Sequence, residues 1–162
     1  MRRIIPITFV LVLGLCLAGN IFAESATKEE CIAKVKEAAQ MINEQGLDAA
    51  IAEIKNKEGK FVWKNTYVFV FDLDGTLVAR ALRQKSIGKN FLKWQDYGDP
   101  PKQPIKEMVD LATNKGEGWV EYTYPKPEEM KKPPDERIKS KKLSYFYRVP
   151  GKDLLVGAGI YE

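Results

Sequence analysis

The 162-residue chain contains no histidine. That excludes a Ser-His-Asp or Cys-His triad, a His-ligated zinc, and an imidazole switch near neutral pH. It holds only two cysteines, Cys16 and Cys31. With Cys16 in the leading segment described next, Cys31 is alone, so no disulfide framework can form within one mature chain. Stability in an oxidising compartment then rests on the core, and Cys31 is either a thiol held on a helix or a bridge between two copies. No internal repeat or low-complexity block is present. Charge of one sign is also missing: without Arg2 and Arg3, 24 basic residues stand against 22 acidic ones, a formal charge of +2. A balance this even gives no reason to propose nucleic acid as a partner.

What is present begins with a leader. Met1-Arg2-Arg3 is a short cationic start, Ile4 to Ala18 is apolar, and small residues follow at Ala18, Gly19 and Ala23. This is the layout of a secretory signal peptide, cleaved after Ala23 or after Ala18. The apolar run is shorter than the roughly 20 residues of a comfortable membrane span, so retention as an anchor is the lesser alternative. The expectation is a signal peptide at residues 1–23 and a single domain at 24–162, exported to the periplasm or secreted.

Within the domain, Ile32, Val35, Ala39 and Ile42 recur at helical steps, and after Gly46 the pattern resumes with Leu47, Ala50, Ile51 and Ile54. The spacing predicts helix from Lys28 to about Lys55 with a kink or break at Gly46. Runs rich in aromatic and β-branched residues predict strands at 61–63, 67–71 and 77–79. A helix follows from Pro104 to about Lys115, capped by Gly116. Further strands are expected at Trp119 to Tyr124, Leu143 to Val149 and Leu154 to Tyr161, with Pro125 to Lys142 as a long solvated connection. Five or six strands joined mostly by short turns, after a long helix, make an antiparallel α+β domain.

Phe71-Asp72-Leu73-Asp74-Gly75-Thr76 matches the nucleophile signature of haloacid-dehalogenase-like, magnesium-dependent phosphatases, whose aspartyl-phosphate chemistry needs no histidine. Context favours a different reading. Only 86 residues follow Thr76, most of their apolar runs look like consecutive strands, and the nearest acidic pair, Asp96 and Asp99, comes too soon for a later parallel strand. The apolar pattern resumes at once with Leu77-Val78-Ala79, so Asp74-Gly75 reads as a hairpin turn.

The order of the long helix, Gly46-Leu47-Asp48-Ala49-Ala50, Lys60-Phe61-Val62-Trp63 and the segment from Tyr67 to Ala79 resembles the single Cache domain, an extracytoplasmic sensor module related to the PAS fold. The likeness continues through Ile87-Gly88-Lys89-Asn90, Gly118-Trp119-Val120-Glu121-Tyr122, Ser144-Tyr145, and Val149-Pro150-Gly151 to Tyr161. The resemblance implies a long helix packed across a central five- to six-stranded antiparallel sheet, with a small-molecule pocket on the other face. It further implies a binding protein rather than an enzyme, with no cofactor, for ligands such as short carboxylates or amino acids. Where the family usually carries histidine and then proline, this chain has Arg80 and Ala81.

Residue chemistry points the same way. A guanidinium can hold a carboxylate by two parallel hydrogen bonds, which makes Arg80 the candidate anchor. Trp119, Tyr122 and Tyr145 could form aromatic walls or serve as plain core. Strand alternation puts Trp119 and Tyr122 on opposite faces, so one of them lines the site unless a bulge intervenes. Lys142 and Arg148 are expected to be solvated. Because the chain stops at Glu162 just after its last strand, the expectation is a stand-alone sensor, monomer or homodimer, that presents a small anion to a separate membrane receptor or sequesters it. With a permanent cation in the histidine's place, binding should depend little on pH near neutrality.

Overall fold

The computed structural model describes residues 24–162; the expected signal peptide lies outside them. Helix α1, Lys28–Gln45, begins at a capping box in which the Thr27 hydroxyl accepts from the Glu30 backbone N–H at 3.2 Å. The Glu30 carboxylate accepts from the Thr27 N–H at 2.9 Å, so two amides that the helix itself leaves unpaired are satisfied. Gly46, at φ 88°, breaks the helix as its sequence position suggested, and α2 runs from Leu47 to Lys55. Cys31, Val35, Ala38, Ala39 and Ile42 form the buried stripe of α1.

The strands follow in chain order: β1 Val62–Trp63, β2 Thr66–Tyr67, β3 Phe69–Asp72, β4 Leu77–Arg80, then helix α3 Pro104–Lys115, β5 Glu117–Pro125, β6 Lys139–Arg148 and β7 Leu154–Tyr161. β1 and β2 pair only with each other. The other five form one antiparallel sheet in the order β4-β3-β7-β6-β5. The last strand therefore lies in the centre, covered on both faces, which is why Leu154–Tyr161 is buried at nearly every position instead of alternating. The stretch expected as a solvated connection is shorter than predicted. β5 extends through Pro125, a 3₁₀ turn occupies Pro127–Lys131, and β6 begins at Lys139, placing Lys142 inside a strand.

The Phe71–Thr76 motif is the β3–β4 hairpin turn. The Asp72 carboxylate accepts from the backbone N–H of Asp74 at 3.1 Å and of Thr76 at 2.7 Å, and Gly75 sits at φ 82°. A side chain at Gly75 would also meet Leu92 at 2.9 Å, so the turn needs glycine twice over. The strand leads into an antiparallel partner, whereas the phosphatase arrangement requires a parallel sheet.

The sheet separates two cores. On one face α1 and α2 pack Val35, Ile42 and Ile54 against Val70, Tyr145 and Val156. On the other, Ile105, Met108 and Ala112 of α3 meet Phe71, Val120, Phe146 and Leu155. Cys31 is fully buried in the first core and burial pushes its thiol up to about 12, so the folded protein does not offer it for a bridge between copies.

Candidate functional site

α3 covers only part of the second sheet face. Beside it lies a cavity of about 100 Å³, floored by β3, β4, β5 and β6 and roofed by Phe91, Trp94 and Tyr97 from the segment before α3. The roof is fixed by edge-to-face aromatic contacts, Phe71 to Phe91 at 5.9 Å and Trp94 to Tyr124 at 5.7 Å between centroids. It is also pinned by Asp96, whose buried carboxylate accepts from the backbone N–H groups of Lys102 at 2.7 Å, Thr123 at 2.8 Å and Gly98 at 3.2 Å. Burial alone would raise the Asp96 pKa, but these three donors outweigh it and hold the carboxyl below its ordinary value.

Arg80 reaches the cavity because of a register irregularity. Phe71 pairs with Leu77 and Val70 with Ala79, so one extra residue in β4 places Leu77 and Arg80 on the same face. The Arg80 guanidinium donates to the Arg83 carbonyl, from Nε and Nη2 both at 3.3 Å, and to the Ser86 hydroxyl. Arg83, in a left-handed backbone at φ 53°, donates to the Tyr124 hydroxyl at 2.9 Å at the rim.

The most unusual group is Lys142, only 2% exposed. In the sheet register it lies between Tyr122 of β5 and Tyr161 of β7, all three on the cavity face. Its Nζ faces five rings, those of Tyr161 at 4.9 Å, Tyr67 at 5.3 Å, Tyr124 at 5.6 Å, Phe69 at 5.8 Å and Tyr122 at 6.0 Å from the centroids. Ring faces attract an ammonium, but each is a weaker partner than the water it replaces. No carboxylate lines the cavity among the described residues. Burial is the main cause that takes the Lys142 pKa down to about 7, and the nearby Arg80 charge pushes the same way.

Space for the lysine comes from β7. A Cβ on Gly159 would stand 2.3 Å from the Ser144 hydroxyl and 2.8 Å from Cε of Lys142. Gly159→Val should therefore overpack the strand, costing about 1–3 kcal/mol and lowering the melting temperature by several degrees in a thermal melt. An unchanged melt would show that β7 can give way.

The structure brings Arg80 and Tyr122 together in this cavity and places Trp119 and Tyr145 elsewhere. Those two pack against each other at 5.3 Å under α1, and the Tyr145 hydroxyl donates to Glu117. Alternation separates Trp119 from Tyr122 as expected, without a bulge between them. Arg148 lies near the surface, 3.4 Å from Asp153, but the expectation of a solvated Lys142 is wrong. A lysine alternating with Leu143 and Tyr145 looks like the water side of a strand, and nothing local in the sequence says that this side is roofed. Tyr67, Arg83, Trp94 and Tyr124 were missed for the same reason: they converge from four separate segments.

Among solved structures, the chain is similar to a Cache chemosensory domain described for carboxylic acid recognition. The two share 23% identity with a TM-score of 0.66 over 82% of this chain and 91% of that one. A methyl-accepting chemotaxis protein from Vibrio parahaemolyticus gives 22% identity and 0.64 over 83% and 87%. The periplasmic sensor domain of a chemotaxis protein gives 19% and 0.58 over 82% and 88%. Nothing among the curated proteins matches the chain. The Cache domain family model matches residues 27–162, which is the whole fold described above from the cap of α1 to the end of β7. The chain belongs to the Cache domain family.

Proposed function

We propose that the protein is an exported sensor domain that binds a short carboxylate in the cavity beneath Phe91, Trp94 and Tyr97. The observation that carries this reading is the charge of the lining: three cations, Arg80, Arg83 and Lys142, and no acid among the thirteen residues that form it. An anion entering there supplies the counter-charge that the protein omits. Eight of the thirteen are aromatic, which suits an apolar body and a single charged head. The small volume limits that body to a few carbons. An α-amino acid fits less well, because its ammonium would meet three cations and no carboxylate. The signal-peptide pattern at residues 1–23 supports export. No helix among the described residues is long and apolar enough to cross a membrane. The similarity to a Cache domain described for carboxylic acid recognition supports the ligand class.

Isothermal titration with acetate, butyrate and lactate, and with alanine as the amino-acid control, tests the reading. At least one carboxylate should bind, and alanine should bind more weakly. Arg80→Ala removes a charge-assisted contact or the field behind it and should weaken carboxylate binding about 10- to 100-fold. Unchanged affinity in that variant would take Arg80 out of the site.

A further inference from the structure

We propose that ligand entry is coupled to protonation of Lys142: an arriving carboxylate brings the counter-ion that this buried amine lacks, and captures a proton with it. The inference rests on the carboxylate reading above and adds a regulation to it.

The geometry supplies the coupling. An ammonium in the ligand-free cavity is cut off from bulk water, has no carboxylate beside it, and shares the space with two further cations. The residues lining the cavity around it are rings, groups that stay neutral near pH 7, or positive charges. The roof's buried carboxylate, Asp96, is not among them, being taken up by the backbone N–H groups of Lys102, Thr123 and Gly98. Across the sheet, on α1, lies the Cys31 thiol, pushed up to about 12. From β2 comes Tyr67, raised by burial to about 12, and from β3 the Phe69 ring. β5 contributes Tyr122, its phenol raised by burial, and the Tyr124 ring; β7 contributes Tyr161, likewise raised. β4 and the turn after it add the guanidinium groups of Arg80 and Arg83. None of these is an anion near neutrality, so no group in the protein takes the place of the ligand's charge. A carboxylate placed against Nζ reverses the balance, because the protonated amine then gains an ion pair where it had only rings. The step is a plain proton transfer: one proton from solvent goes to Nζ for each carboxylate bound, and no other bond changes.

The sign follows directly. Short carboxylic acids are ionised throughout pH 6–9, so only Lys142 need gain a proton. With the amine's midpoint near 7, affinity is nearly flat below that value and falls about tenfold per unit above it. Such binding would depart from the expectation of little pH dependence near neutrality, which counted Arg80 and took Lys142 as solvated.

The test is a pH series of calorimetric titrations of the protein with acetate, butyrate and lactate, joined to an NMR titration of the Lys142 Cε and Nζ signals in ligand-free protein, assigned by loss in Lys142→Met. The expected result is a dissociation constant about 20-fold weaker at pH 8.5 than at 6.5. Close to one proton should be taken up per ligand at pH 8, read from the dependence of the heat on buffer ionisation. The ligand-free amine should titrate with a midpoint near 7. Carboxylate binding that is flat from pH 6.5 to 8.5 overturns the proton coupling and leaves the carboxylate reading standing. No binding by any of the three at any pH overturns the carboxylate reading and the coupling with it. A ligand-free midpoint above 9.5 overturns the coupling without any ligand.

Discussion

Lys142→Met should give a protein that is more stable than the parent and no longer binds short carboxylates. Methionine matches the unbranched stem of lysine, fills the same channel beside Gly159, and makes favourable sulfur contacts with the surrounding rings. It removes an amine whose charged form has been taken out of water with no counter-ion. At pH 6–7 the gain should be about 2–4 kcal/mol, roughly 5–10 °C in the thermal midpoint of the ligand-free protein. Carboxylate affinity should fall by more than 100-fold, because a charged hydrogen bond is lost and only the stationary arginines remain.

The same residue sets a pH dependence of stability in the parent. Its folded pKa, about 7, lies below the unfolded value of 10.5. Between these the unfolded chain holds a proton that the folded one has released. Stability therefore rises with pH from about 7 upward, by at most about 1.4 kcal/mol per unit. Cys31 works in the opposite direction from pH 9, since its thiol ionises near 9.0 when unfolded and near 12 when folded. The clean window is pH 7 to 9, and denaturant melts there should show the rise in the parent and its absence in Lys142→Met. A variant less stable than the parent at pH 6.5 would mean that the rings satisfy the ammonium better than water does.

Asp96→Ala should do the reverse, lowering stability and abolishing binding together. Three backbone N–H groups converge on this one carboxylate, and alanine leaves them without their acceptor. The loss should be about 2–4 kcal/mol in a denaturant melt, more than a surface substitution allows. Trp94 and Tyr97 flank Asp96 in the roof, so the aromatic cover should loosen, with increased hydrogen exchange at residues 91–103. Because the Asp96 pKa is depressed in the fold, its contribution is complete above the unfolded value of 3.8 and disappears as pH falls through the lower folded value. Retained binding in Asp96→Ala would show that the roof is held by its aromatic contacts alone.

Much of this fold is legible from local patterns. Gly46 interrupts an otherwise continuous helical stripe, and Asp74-Gly75 between apolar runs announces the hairpin that a motif search would take for a phosphatase nucleophile. These signals work because each is complete within a few residues. The cavity is different. Tyr122 and Tyr161 flank Lys142 only once β5, β6 and β7 are in register. Arg80 faces inward only because β4 carries an extra residue opposite Val70 and Phe71. Trp119 and Tyr145 have the composition of a binding wall, but sheet alternation turns them under α1. Lysine spacing on β6 fits a solvated face equally well, and the difference is made by a roof some fifty residues earlier in the chain.

The central claim is that Lys142 is the anion anchor of this cavity. Parallel calorimetric titrations of the parent and Lys142→Met with acetate, butyrate and lactate at pH 6.5 test it most directly. Saturable binding in the parent and no detectable heat of binding in a folded, more stable variant is the predicted result. Equal affinity in the two proteins, or no binding by the parent, would contradict it.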